Sequence, residues 1–137
     1  VAYAGKIKFL GYGFYKGRKG FALRVHAKSK AKMKARVREL TSRRMVNDYE
    51  KWKVDLKQYV VGWVNYYKLA DMGKYIQSID EWMRRRIRMV FWKKWKRVRT
   101  RWRNLLKLGI SNRNAGILAN SRKGYWRIAS SPLKPTA

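Results

Sequence analysis

Cysteine is absent from this 137-residue chain, histidine occurs once, and acidic residues number only seven. Each scarcity removes a class of chemistry. Without cysteine there are no disulfides and no thiolate metal sites. The single His26 cannot form a histidine cluster, and with no evident nucleophile or carboxylate partner it reads as structural. The carboxylates Glu39, Asp48, Glu50, Asp55, Asp71, Asp80 and Glu81 are too dispersed for the converging pair that two-metal phosphoryl transfer needs. Asp80 and Glu81 are neighbours, yet on a helix they point about 100° apart. Their simpler role is charge near a helix N-terminus and pairing with Arg84 or Arg85 at i,i+4 spacing. Gly11, Gly13, Gly17 and Gly20 lack the spacing of a phosphate loop ahead of a helix. No catalytic residue, metal or cofactor is therefore expected. No apolar run approaches the ~20 residues that span a bilayer, and no secretory signal is visible. These absences predict an internal, reducing compartment. Val1 in place of an initiating Met predicts a fragment or a processed product.

What is present is positive charge and aromatic rings. Lys and Arg number 36, for a formal charge of +29. Self-repulsion on that scale predicts a frequent anionic partner. Apolar residues make up 46% of the chain, enough to build a core rather than a disordered tail. Aromatics reach 15%, which a simple basic tail would not carry. Rings beside cations suit RNA, whose unpaired bases stack on aromatics while Lys and Arg neutralise its phosphates.

Both signals meet between Asp80 and Asn104. Ile76, Ile79, Met83, Ile87, Phe91, Trp95, Val98, Trp102 and Leu105 recur every three or four residues, which predicts one continuous amphipathic helix. A helix of that length spans about 45 Å. Arg84, Arg85, Arg88, Lys93, Lys96, Arg97, Arg99, Arg101 and Arg103 occupy its other sides, and no acidic residue follows Glu81. Solvated faces usually mix signs; this one reads as a polyanion-binding surface.

Ahead of that helix, Lys6 to His26 reads as a β-hairpin turning through Lys16-Gly17-Arg18-Lys19-Gly20, with no obvious third strand. A first helix is expected from Ser29 to about Ser42, with Met33, Val37 and Leu40 inward. A second runs from a capping box at Asn47 and Glu50 to about Leu69. Asp71 is placed to cap the third, and Gly109 to stop it. Ser111 or Asn112 opens a short helix to about Ala119, followed by the basic turn Ser121-Arg122-Lys123-Gly124 and then Tyr125-Trp126-Arg127-Ile128. Trp52, Trp63, Trp82 and Trp95 are assigned to the core, and Tyr66 and Tyr67 to the bundle interior.

The candidate RNA contacts divide by residue type. Lys28, Lys30, Lys32 and Lys34 are flexible point charges suited to a phosphate backbone, as are Lys93 and Lys96. Arg84, Arg85, Arg88, Arg97, Arg99, Arg101 and Arg103 can bind phosphate through two N–H groups or stack on bases. Arg122, Lys123 and Arg127 flank a turn that also carries Tyr125 and Trp126, rings that suit stacking on a base and suit core packing at least as well. Trp and Arg on one helix also suit an anionic lipid surface, but the hairpin, the capped helices and the long ordered connections argue against a membrane partner.

Several motifs, in order along nearly the whole chain, resemble the group II intron maturases, reverse-transcriptase-like proteins encoded by self-splicing introns. Lys8-Phe9-Leu10-Gly11-Tyr12-Gly13-Phe14-Tyr15 is similar to the strand motif that ends the reverse-transcriptase palm. Val25-His26-Ala27-Lys28-Ser29-Lys30 resembles the junction from palm to thumb. Tyr59-Val60-Val61-Gly62-Trp63-Val64-Asn65-Tyr66-Tyr67 is similar to the family's GWxNYF-type motif. Asp80-Glu81-Trp82 with Arg84-Arg85-Arg86, and Ser121-Arg122-Lys123-Gly124-Tyr125-Trp126-Arg127, complete the series.

The resemblance implies an α+β, mainly α, fold: a terminal palm hairpin over 1–27, a three-helix thumb or maturase-specific domain with a short C-terminal helical element over 28–131, and a frayed tail over 132–137. It implies a domain that grips group II intron RNA and promotes its folding and splicing, within a ribonucleoprotein of the bacterial cytoplasm or an organelle. The alternative it implies is a polymerase thumb holding a template–primer duplex and partnered by fingers and palm. The palm aspartates of the Tyr-Ala-Asp-Asp motif are missing: Tyr3-Ala4 is followed by Gly5-Lys6, so this chain is not expected to polymerise alone.

Overall fold

In the computed structural model, which describes residues 3–44 and 47–131, the chain opens with a three-stranded antiparallel sheet. Strands β1 (Lys8–Phe9), β2 (Tyr12–Gly17) and β3 (Gly20–Val25) lie in sequential order. The third strand missing from the sequence reading lies inside what looked like one long first strand. Leu10 and Gly11 take φ of 49° and 84°, and Phe9 pairs with Tyr12. Two successive positive φ values in a two-residue loop match the twist of the flanking strands, so the segment doubles back on itself. At the other end of β2, Gly17 pairs with Gly20, and of these two only Gly20 takes a positive φ, at 113°.

Six helices follow among the described residues: α1 (Ala27–Leu40), α2 (Tyr49–Tyr66), α3 (Gly73–Lys94), α4 (Val98–Lys107), α5 (Asn112–Ala119) and α6 (Tyr125–Ile128). The fold is mainly helical with a small sheet. His26 caps α1, its Nδ1 accepting from the Lys28 N–H at 3.2 Å. Met33, Val37 and Leu40 are buried, and the basic residues between them turn outward or only partly inward. The cap of α2 is Asp48, not Asn47; its Oδ1 accepts from Glu50 N at 3.1 Å and Lys51 N at 3.3 Å. Asp71 does not cap α3. Its carboxylate accepts from the Tyr15 hydroxyl at 2.9 Å and its N–H donates to the Leu23 carbonyl at 3.0 Å, so it fastens the link between α2 and α3 to the sheet.

The expected single long helix is two. α3 ends at Lys94 and α4 starts at Val98. No proline or glycine lies at the break. Lys93 with Arg97, and Arg97 with Arg101, would stand at i,i+4 on an unbroken helix, but α1 carries Lys30, Lys34 and Arg38 at the same spacing without a break, so like charge alone does not end α3. The break also lets Leu105 share a core with Trp92, together with Ile110, Ala115, Leu118, Ala119 and Ile128. α4 ends in a Schellman motif at the glycine the sequence marked as a stop, with Gly109 at φ 85°, Gly109 N bonded to Leu106 O and Ile110 N to Leu105 O. Ser111 caps α5.

The chain divides into two compact units, Val1–Asp80 and Glu81–Ala137, with the division inside α3. Within the first, Val25, Tyr67 and Met72 form a core to which Tyr12 and Trp63 pack. Trp52 is buried and donates to the Leu40 carbonyl at 2.8 Å, joining α1 to α2. Trp63, Trp82 and Trp95 are half-buried rather than fully interior, and in the second unit Trp92 takes the deepest tryptophan position. The proline-containing tail at 132–137 lies outside the described residues.

Candidate nucleic-acid interface

The basic side chains fall into two groups: those fastened to the chain's own atoms and those pointing outward. In the second unit, α6 is bolted to α3 by guanidinium groups. Arg85 donates from Nε and Nη2 to the Trp126 carbonyl at 3.0 and 2.8 Å, and its guanidinium lies 4.0 Å from the centre of the Trp126 ring. Arg88 donates to the Ala129 carbonyl at 2.9 Å. Arg101 reaches back from α4 to the Trp95 carbonyl at 2.7 Å, with its guanidinium 4.9 Å from the Trp92 ring centre. It thereby satisfies a carbonyl that the end of α3 leaves without a helical partner. Lys93 stands over the Tyr125 ring at 5.6 Å.

Outward residues form the second group. Lys96, Arg97, Arg99 and Arg103 are exposed at the α3–α4 break and along α4. Arg84 is exposed on α3 and also engaged within the chain. Arg122, Lys123 and Arg127 are exposed around the start of α6, beside Tyr125 and Trp126, which keep 45% and 38% of their surface accessible. Trp102, on the apolar stripe of the expected long helix, is 38% exposed and donates from its indole to Asn112 Oδ1 at 2.9 Å. No Asp or Glu occurs in the sequence after Glu81, so nothing there offsets this charge.

In the first unit, α1 presents Lys28 and Lys32 outward, while Lys30 is half-buried with its ammonium 4.3 Å from the Tyr75 ring centre. Lys34 is half-buried and engaged within the chain, and Arg36 pairs with Glu39 at 2.8 Å. Lys28 and Lys32 line an open cleft of about 610 Å³ together with Lys8, Leu10, Gln58, Gly62 and Tyr66. Tyr67 is buried, in keeping with the sequence, but Tyr66 is 55% exposed. Burial raises the phenols of Tyr12, Tyr59 and Tyr75 above the ordinary value, so all three stay neutral near pH 7.

A surface of this kind can neutralise phosphates with outward cations and offer rings beside them, and part of it, including Lys96, Arg97, Arg99 and Arg103, lies in a stretch that a known domain accounts for. The profile of the group II intron maturase-specific domain matches residues 30–109. The chain belongs to that family. The matched stretch of this maturase-specific domain runs from within α1, at Lys30, through α4, and so includes the α3–α4 break. The family resemblance carried by the motifs is thus shown. No curated protein matches the chain. No helix among the described residues is long and apolar enough to cross a membrane.

Sequence reasoning named Lys28, Lys32, Lys96, Arg97, Arg99, Arg103, Arg122, Lys123 and Arg127, and all are exposed. It did not foresee that Arg85, Arg88 and Arg101 would be used as internal fasteners. It assigned Tyr66 to the bundle interior, whereas Tyr66 is exposed and lines the first unit's cleft with Lys8 and Gln58. The i,i+4,i+8 spacing of Gln58, Gly62 and Tyr66, a polar–glycine–aromatic line along one face of α2, was the available signal.

Proposed function

We propose that this domain binds structured group II intron RNA and favours its splicing-competent fold, with the RNA itself performing the chemistry. One observation carries the reading: around α4 and the start of α6, arginines and lysines are exposed with no carboxylate among them. That arrangement creates a field of one sign that attracts a polyanion and releases its counterions on binding. The contacts come from Lys96, Arg97, Arg99, Arg103, Arg122, Lys123 and Arg127, with Lys28 and Lys32 contributing from α1. Family membership supports a group II intron as the source of that RNA.

A second reading is favoured by the sheet. Tyr15 and Leu23 hold Asp71 to the sheet, which suits a firm junction between a palm hairpin and a thumb. On that reading the same cations grip a template–primer duplex, and polymerisation depends on palm aspartates outside this sequence. The chain alone is then a binding module and not an enzyme.

The test is the triple reversal Arg97→Glu, Arg99→Glu and Arg103→Glu, measured against intron RNA and a length-matched unrelated RNA across a salt series. Arg101 is left intact because it fastens α4 to the end of α3. The expected result is a large drop in affinity and a shallower slope of log K against log salt, by roughly 0.7–0.9 for each phosphate no longer neutralised, at an unchanged melting temperature. Intron RNA should keep an advantage of about 10³-fold or more over the unrelated RNA in the wild type. Unchanged affinity in the triple variant refutes the assigned face.

A further inference from the structure

The cleft on the first unit has a shape that plain phosphate neutralisation does not need. An exposed tyrosine normally samples several orientations, but the Tyr66 ring is held at its hydroxyl and against Tyr67, and its backbone is tied as well. Its hydroxyl donates to the Leu10 carbonyl at 3.0 Å, and its own carbonyl accepts from the Tyr12 hydroxyl at 2.5 Å. Its ring stands edge-on to Tyr67 at a centroid distance of 4.7 Å. More than half of its surface is nevertheless open. One turn earlier on the same face is Gly62, where an added Cβ would meet nothing within 4 Å. One turn earlier again is the exposed amide of Gln58. Lys8, Lys28 and Lys32 stand among the cleft's lining residues, which include no carboxylate.

A fixed aromatic face beside a side-chain-free gap, with an amide and three ammonium groups around it, has the parts of a nucleotide site. Aromatic faces stack bases of any kind, an amide reads a base edge through paired donor and acceptor, and lysines hold the flanking phosphates. The cleft volume of about 610 Å³ falls within the range of small-ligand sites. We propose that this cleft is a slot for one unpaired base of the bound RNA, which stacks on Tyr66 over Gly62, presents its edge to Gln58 and has its phosphates held by Lys8, Lys28 and Lys32. The slot rests on the RNA-binding reading and adds to it a preference for a bulged or looped nucleotide over continuous duplex.

The full chain is titrated into an RNA hairpin carrying 2-aminopurine as a single-nucleotide bulge, and into the same hairpin with that base paired. Wild type should bind the bulged hairpin about fivefold to 150-fold more tightly, the worth of stacking one base on an aromatic ring, with quenching of the 2-aminopurine fluorescence. Gly62→Leu fills the gap with a strong helix former. It should abolish both the preference and the quenching while leaving affinity for the paired hairpin unchanged. Gln58→Leu, at an exposed position one turn away, gives an independent variant and should lower the preference in the same way. A wild type that binds both hairpins equally removes the slot and leaves the RNA-binding reading standing. Retention of the full preference by both variants also overturns the slot. Binding to neither hairpin overturns the RNA-binding reading and the slot with it.

Discussion

Replacing Gly11 with alanine should be among the most damaging single-methyl changes in this protein. Gly11 sits at φ 84°, where a residue with a Cβ pays about 1–2 kcal/mol. The new methyl would also overlap the Tyr67 hydroxyl and lie 3.0 Å from Tyr67 Cζ and 3.1 Å from Ser29 Oγ. Tyr67 cannot swing aside, because it is 7% exposed and its ring is packed by Trp63 and Tyr66 at 4.7 Å and by Tyr12 at 5.1 Å. Overpacking of that kind costs about 1–3 kcal/mol. The two contributions together reach roughly 2–5 kcal/mol. At roughly 4 °C per kcal/mol for a chain of this size, the melting temperature should fall by roughly 8–20 °C. Thermal melts followed by far-UV circular dichroism measure the fall. Hydrogen exchange localises it, since His26 N–H and Ser29 Oγ both donate to the Gly11 carbonyl, and the His26 amide should become less protected. The matched control is Gly62→Ala, a mid-helix glycine with open space around it, which should raise stability by up to about 1 kcal/mol. If Gly11→Ala melts no lower than Gly62→Ala, the account of the Leu10–Gly11 turn is wrong.

Arg101→Met should destabilise the second unit by about 1–3 kcal/mol, because it strands the Trp95 carbonyl and unstacks Trp92. Thermal melts should show this while RNA affinity, measured below the transition, changes little. Asp48→Ala should cost about 1 kcal/mol in denaturant unfolding by removing the helix cap, and Asn47→Ala almost nothing. The Tyr15–Asp71 hydrogen bond holds the Tyr15 phenol above its ordinary value of 10.0. Its contribution is therefore complete below pH 10 and fades as pH rises through the higher folded-state value. The stability gap between wild type and Tyr15→Phe should be flat up to about pH 10 and narrow beyond it.

Much of this architecture is legible in the sequence, and the failures have physical causes. The stripe Met33, Val37 and Leu40, the Gly109 stop and the Ser111 cap all depend on local spacing or on one residue's conformational freedom, which a sequence displays directly. The break between α3 and α4 was hidden because the apolar period runs on through Trp95, Val98 and Trp102. What accompanies the break is a shared core formed by residues farther along the chain, which no local pattern displays. The third strand was hidden because Leu10, an unusual residue for positive φ, takes that conformation next to Gly11. For the interface, residue type did not say which cations point outward: Lys30, Lys34 and Lys93 are half-buried, as are Arg85 and Arg101. A guanidinium is as well suited to a backbone carbonyl as to a phosphate, and only the fold shows which one Arg85, Arg88 and Arg101 meet.

Those guanidinium fasteners also set how much charge the second unit keeps. An ion pair cancels the charge of both partners, whereas a guanidinium bonded to a peptide carbonyl keeps its positive charge. After Glu81 the sequence contains neither Asp nor Glu, and Arg85, Arg88 and Arg101 are tied there to peptide carbonyls. The lone His26 and the carboxylate ties of Asp48 and Asp71 belong to the first unit. The second unit is thus tied in part by cations whose charge those ties do not cancel, so the side chains that hold it together also add to the field that draws a polyanion toward it.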